Sequence, residues 1–160
     1  MQRILLPLSI VAALYFGPLF AETTSGSVTG TTENVFSGSF FLDNMVGCLT
    51  ELRVPIGEGC GFEGSFNDSP MVGHVINYAA LLALAAGVLG VIGLLPVIGR
   101  LTSIVTLLAG LAALAAMGLL SLTLMGTDSG LGAIRWGVYL TAGLGLLTLI
   151  AGLAGLRGND

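Results

Sequence analysis

Lysine does not occur in this chain, and its basic residues are five arginines, Arg3, Arg53, Arg100, Arg135 and Arg157. They stand singly, with no patch to neutralise several phosphates, which argues against nucleic-acid binding. Charge of either sign is scarce: 9% of residues are charged against 54% hydrophobic, and the mean hydropathy is +0.97. Those values lie outside the range of a soluble globular domain and make a bilayer the natural solvent. Histidine occurs once, at position 74, and cysteine twice, at 48 and 60. So few candidate ligands argue against a zinc site, and no metal or other cofactor is expected. No HExxH or GxSxG pattern and no nucleophile, base and orienter set occurs, so the chain does not read as an enzyme and points to no small-molecule substrate.

What the chain has instead is long apolar runs. Val72 to Ile98, Leu101 to Met125 and Ile134 to Leu156 each supply the ~20 residues that cross a ~30 Å hydrocarbon core at 1.5 Å per residue. We read all three as transmembrane helices. "LLPVIGRLTS" between the first two compresses a stop and a restart, with Gly99 as C-cap and Thr102 or Ser103 as N-cap, and predicts a tight antiparallel hairpin. "GTDSGLGAIR" is a second short turn. None of the three spans carries an ionisable residue in its middle, which argues against an ion-coupled transporter.

The first 21 residues, "MQRILLPLSIVAALYFGPLFA", admit two readings. They fit a first transmembrane helix near the short end of the usual range, or a signal peptide cleaved after Ala21. Either delivers residues 22–71 to the outside, with Arg3, Arg100 and Arg157 inside and residues 157–160 as a cytoplasmic tail. Seven of the nine carboxylates fall in that outer segment: Glu22, Glu33, Asp43, Glu51, Glu58, Glu63 and Asp68. "NVFSGSFFLDN" and "CLTELRVPI" within it read as strands, whereas "ETTSGSVTGTTE" reads as a polar, mobile stretch near the membrane exit. Phe36, Phe40, Phe41, Phe62 and Phe66 supply an apolar face for core packing or for a partner.

Small residues recur every four positions in each certain span: Ala79, Ala83 and Gly87; Thr102, Thr106 and Gly110; Gly137, Thr141 and Gly145. Such stripes let helix backbones approach closely. Packing within the bundle accounts for most of them, with one stripe left for lateral self-association. Asn77 lies about one turn inside the outer end of its span. His74, beside it, reads as an interfacial side chain more readily than as a pigment ligand. Trp136 and Tyr139 read as aromatic-belt anchors, and "NDS" at 67–69 matches a glycosylation acceptor.

Both cysteines lie in the outer segment. In an oxidising compartment Cys48 and Cys60 can pair and stabilise a small domain by roughly 2 to 4 kcal/mol; the other reading is two buried free thiols. The expected fold is an integral-membrane α-helical bundle of four transmembrane helices, or three if the N-terminus is cleaved. A small extracellular, disulfide-stapled β segment completes it. This plan resembles the claudin and peripheral-myelin-protein type of four-helix membrane protein, whose first extracellular segment is a small sheet stapled by one disulfide. The sequence has "NMVGC" where claudins carry Gly-Leu-Trp before the first cysteine. The resemblance implies Cys48 and Cys60 as the staple, and side-by-side self-association, with carboxylates such as Glu51, Glu58 or Glu63 setting cation preference in a pore.

The expected role is therefore structural or interactive, in the cell membrane, with the bilayer and either a homo-oligomer or another membrane protein as partners. The alternatives are an accessory subunit of a larger membrane complex and a passive channel. A bridged Cys48 and Cys60 should take up two alkyl groups only after reduction, as read by intact mass. Uptake of both without reduction would identify free thiols.

Overall fold

The computed structural model describes residues 2–26, 30–39, 70–92, 99–126 and 130–157. In order, these form α1 (Gln2–Phe16), β1 (Pro18–Gly26), β2 (Gly30–Ser37), α2 (Pro70–Ile92), α3 (Gly99–Met125), a 3-10 turn (Gly130–Ala133) and α4 (Trp136–Arg157). Each helix packs on the next in sequence and α1 packs on α4, closing a four-helix ring. Leu8 of α1 meets Gly87 near the end of α2, Gly152 near the end of α4 meets Leu107 near the start of α3, and Gly17 meets Gly137. The helices therefore alternate in direction. The start of α1, the end of α2, the start of α3 and the end of α4 share one end of the bundle, and the hairpin β1–β2 occupies the other.

Several boundaries differ from the sequence reading, each for a local reason. The first apolar run predicts a helix to Ala21, yet α1 stops at Phe16. Gly17 caps it by donating its N–H to the Ala13 carbonyl at 2.9 Å, and the next residue, Pro18, has no N–H to continue the ladder. Residues 18–21 pass into β1. The stretch "ETTSGSVTGTTE", expected to be mobile, supplies most of a two-stranded antiparallel hairpin with Phe20 opposite Phe36, Glu22 opposite Asn34 and Gly26 opposite Gly30. Its β-branched threonines suit an extended backbone. Thr102 and Ser103 are not caps: α3 begins at Gly99, and both side chains lie in its first turns, buried. Similarly α4 begins at Trp136, because Ile134 bridges Phe20 and the Arg135 N–H donates to the Leu19 carbonyl at 3.0 Å. Those two residues serve the sheet instead of the helix.

Among the described residues, α3 and α4 contain stretches, Leu101–Met125 and Trp136–Arg157, long and apolar enough to cross a membrane. The apolar stretches Ile4–Phe16 and Val75–Gly90 are shorter. The bundle interior is built of small side chains. Ala79, Ala80, Ala83, Ala86, Ala109, Ala113 and Ala116 are all fully buried, with Ile10, Leu14, Ile76, Met117 and Leu120 as the larger members of the core. Thr106 and Thr148 satisfy their buried hydroxyls by donating to the carbonyls of Thr102 and Leu144, each at 2.7 Å.

The α3–α4 seam is the tightest. A Cβ placed on Gly110 would lie 2.6 Å from both the Gly145 carbonyl oxygen and the Leu149 nitrogen, and one on Gly152 would lie 2.7 Å from the Leu107 nitrogen. Backbone cannot give way as a side chain can, so Gly110→Leu should lower stability in detergent by at least the ~1 to 3 kcal/mol of an overpacked core. Gly143 has nothing within 4 Å of such a Cβ. Gly143→Ala should be neutral or stabilising by up to about 1 kcal/mol, as read by denaturant midpoints of the two variants against the parent.

Candidate functional site

The polar and aromatic side chains that could meet a partner gather at the hairpin end, where α1, the hairpin and the start of α4 come together. Gly17 and Gly137 make this junction possible: a Cβ on Gly137 would stand 2.9 Å from the Gly17 carbonyl carbon, and it would also strike the Pro18 carbonyl oxygen. Two backbones thus touch at the point where α1 gives way to β1. Leu19, Phe20 and Ala21 are buried immediately beyond it.

Phe20 is the pivot of the hairpin base. It is 1% exposed, stacks on Phe36 with ring centroids 4.9 Å apart and planes 16° from parallel, and bridges Ile134 on its other side. Such a ring pair contributes about 0.5 to 1.5 kcal/mol beyond its burial. The next residue after Ile134 adds an ion pair: the Arg135 guanidinium engages the Glu33 carboxylate from the outer half of β2, both side chains being partly exposed at 38% and 47%. The hairpin is therefore held to α4 by a backbone hydrogen bond, a β-bridge and a charge pair, and to α1 by a single intervening residue. Among the described hairpin side chains, Asn34 and Val35 are exposed, Val35 at 57%.

Beside this base, α1 and α4 leave a groove of about 360 Å³ between them, with Ala12, Ala13 and Gly17 on one wall and Trp136, Leu140 and Leu144 on the other. Trp136 and Tyr139 are exposed at 58% and 67%.

All nine small residues of the predicted stripes are buried within the single chain. Gly87 faces Leu8 of α1, and Gly110 faces α4. The stripe on α4 serves two neighbours in turn, Gly137 meeting the α1–β1 junction and Gly145 meeting Gly110 and Ala113 of α3. Asn77 is buried, and among the described residues its Oδ1, the Tyr78 hydroxyl and the Thr141 hydroxyl find no hydrogen-bond partner. His74 belongs to α2, but its side chain lies outside the described residues, as do Cys48, Cys60, Glu51, Glu58, Glu63, Phe40, Phe41, Phe62, Phe66 and the acceptor pattern at 67–69. Among the described residues no three metal-ligating side chains cluster.

No family model, no curated protein and no solved structure matches the chain.

The Arg135–Glu33 pair lies about a hundred positions apart in sequence, and no local motif announces it. Its coupling should be that of a half-exposed pair. A double-mutant cycle of Glu33→Gln and Arg135→Gln, read by denaturation in detergent, should return about 0.2 to 1 kcal/mol, decreasing with added salt. A cycle energy of zero at low salt would remove the pair as a fastening.

Proposed function

We propose that the chain is a non-enzymatic integral membrane protein with a structural or interaction role, a helical bundle that holds a β-hairpin rigidly at the outer membrane surface for contact with a second copy or a neighbouring surface protein. The observation that carries this reading is an inversion of the usual order. Alanine, glycine and threonine fill the interior, while Leu101, Ile104, Leu108, Leu111, Leu122, Leu146, Leu147 and Ile150 face outward, each 45 to 64% exposed. Water would penalise that arrangement, since so many large side chains of α3 and α4 gain nothing from burial. Hydrocarbon does not penalise it, and small interior residues are what helix association in lipid requires.

The direction across the membrane is assigned from the first segment, which as a leader or a first span sends residues 22–71 outside, with the arginines adding a bias of three to two because Arg53 and Arg135 fall on the outer side. Arg3, Arg100 and Arg157 belong to the end where α1 and α3 start and α4 finishes, which we assign to the cytoplasm, with the hairpin and residues 22–71 outside. Retention of α1 is part of the proposal. Ile10 and Leu14 are fully buried in the bundle, and a mature chain without them would open its core. We carry the claudin-like plan of a helix, a stapled β segment and three further helices forward as part of this proposal, with Cys48 to Cys60, which lie outside the described residues, as the staple.

Phe20, Phe36 and Glu33 are spent on anchorage while Asn34 and Val35 are exposed, so association should depend on these two positions. In mild detergent the wild-type chain should run as an oligomer that Val35→Asp dissociates, while the variant's helical content and melting stay those of the parent. An assembly unchanged by Val35→Asp and by charge substitutions at Asn34 would contradict the proposal. A defined heteromeric assembly of that kind would instead support the accessory-subunit reading. Release from the membrane by alkaline carbonate would overturn the integral placement itself.

A further inference from the structure

We infer that the groove between α1 and α4 is a binding site for one zwitterionic phospholipid, an acyl chain lying along the groove and the headgroup meeting the Arg135–Glu33 pair. The inference rests on the membrane placement proposed above.

The groove has a definite cause. Gly17 and Gly137 draw the two helices together at the hairpin end, and farther along only Ala12 and Ala13 stand opposite Leu140 and Leu144, too small to fill the space between the axes. From Trp136 to Leu144 it runs eight residues, about 12 Å along the helix. Apart from the indole N–H of Trp136 at its hairpin end, its one polar side chain, Ser9, already donates its hydroxyl to the Leu5 carbonyl at 2.7 Å. An occupant therefore needs shape and no hydrogen bonds along its length, which describes an aliphatic chain.

The mouth of the groove identifies the other end of the ligand. Tyr15, Phe16, Trp136 and Tyr139 are the exposed aromatics among the described residues, and all four stand on these two helices at this end. Aromatic side chains prefer the level of lipid headgroups and glycerol esters. Arg135 directly precedes Trp136, and Glu33 is bound to it through one oxygen and one terminal nitrogen. A guanidinium carries five N–H donors and a carboxylate two acceptor oxygens, so the pair has capacity beyond its mutual bond. A phosphate suits the arginine and an ammonium the glutamate. An anionic headgroup would meet Glu33 without compensation, so the charge pattern selects a headgroup that carries both signs.

Trp136 is the only tryptophan of the chain and lines the site, which gives a direct readout. The full chain would be reconstituted in vesicles containing phosphatidylethanolamine or phosphatidylglycerol with brominated acyl chains, and quenching of Trp136 followed against mole fraction. We expect brominated phosphatidylethanolamine to quench beyond its mole fraction, with a relative binding constant over phosphatidylglycerol of roughly two- to fivefold, the range an exposed charge pair supplies. Glu33→Gln, which leaves the guanidinium unpaired, should bring that ratio to one or below, whereas Arg135→Gln, which leaves the carboxylate uncompensated, should not lower it. Ala12→Phe, a change at an exposed position, should fill the groove and remove the excess quenching.

Equal quenching by both lipids in the wild-type chain would overturn the site while leaving the membrane placement intact. An absence of quenching by either would overturn both. A change of oligomeric state in Ala12→Phe without any lipid preference would assign the groove to a second copy of the chain, again against the inference.

Discussion

The close approach of helix backbones governs this fold. Lipid offers helices no hydrophobic gain from meeting one another, so association depends on dispersion contacts and on how near the axes can come. Here Gly110, Gly145 and Gly152 bring α3 and α4 into backbone contact, and Gly17 and Gly137 do the same for α1 and the start of α4. Alanines fill what lies between. With small residues in the seams, many leucines and isoleucines of α3 and α4 turn outward, and the outer surface of these helices becomes strongly apolar.

The same constraint positions the hairpin. Because Gly17 both caps α1 and touches Gly137, the chain enters β1 already fixed against α4, and the strand's first residues find their partners there: Leu19 its hydrogen bond from Arg135, Phe20 its bridge to Ile134. In the membrane placement proposed above, extended backbone beside the bundle needs such internal satisfaction, since an unpaired carbonyl or N–H near hydrocarbon costs several kcal/mol. The hairpin is thus a continuation of the bundle and not a tethered appendage. A force or contact on it would be felt first at the α1–α4 seam.

Much of this was legible in the sequence. Apolar runs locate α2, α3 and α4, of which α3 and α4 reach the length of a span, and the four-residue spacing of small residues picks out positions that the bundle buries. Other features were hidden for identifiable reasons. Hydropathy alone runs α1 on to Ala21, whereas Gly17–Pro18 ends it, a stop signal written in two residues inside an apolar stretch. Threonine-rich sequence between glycines is polar enough to pass for a mobile linker, although the same threonines favour a strand. Thr102 and Ser103 look like caps and instead face inward near the start of α3, a choice set by packing and not by local preference. The Arg135–Glu33 pair and the Phe20–Phe36 stack depend on the register of the hairpin, which no single segment encodes.

The central claim is that α1 is a member of the ring, packed against α4. Cross-linking of paired cysteines tests it most directly, in a chain with Cys48 and Cys60 replaced by serine. Ala13→Cys with Leu140→Cys joins α1 to α4 across the groove, and Ala113→Cys with Gly145→Cys joins α3 to α4 as a reference. The account predicts that both pairs cross-link within one full-length chain in the native membrane. A reference pair that cross-links while the first does not, or a first pair lost because the mature chain lacks α1, would contradict it.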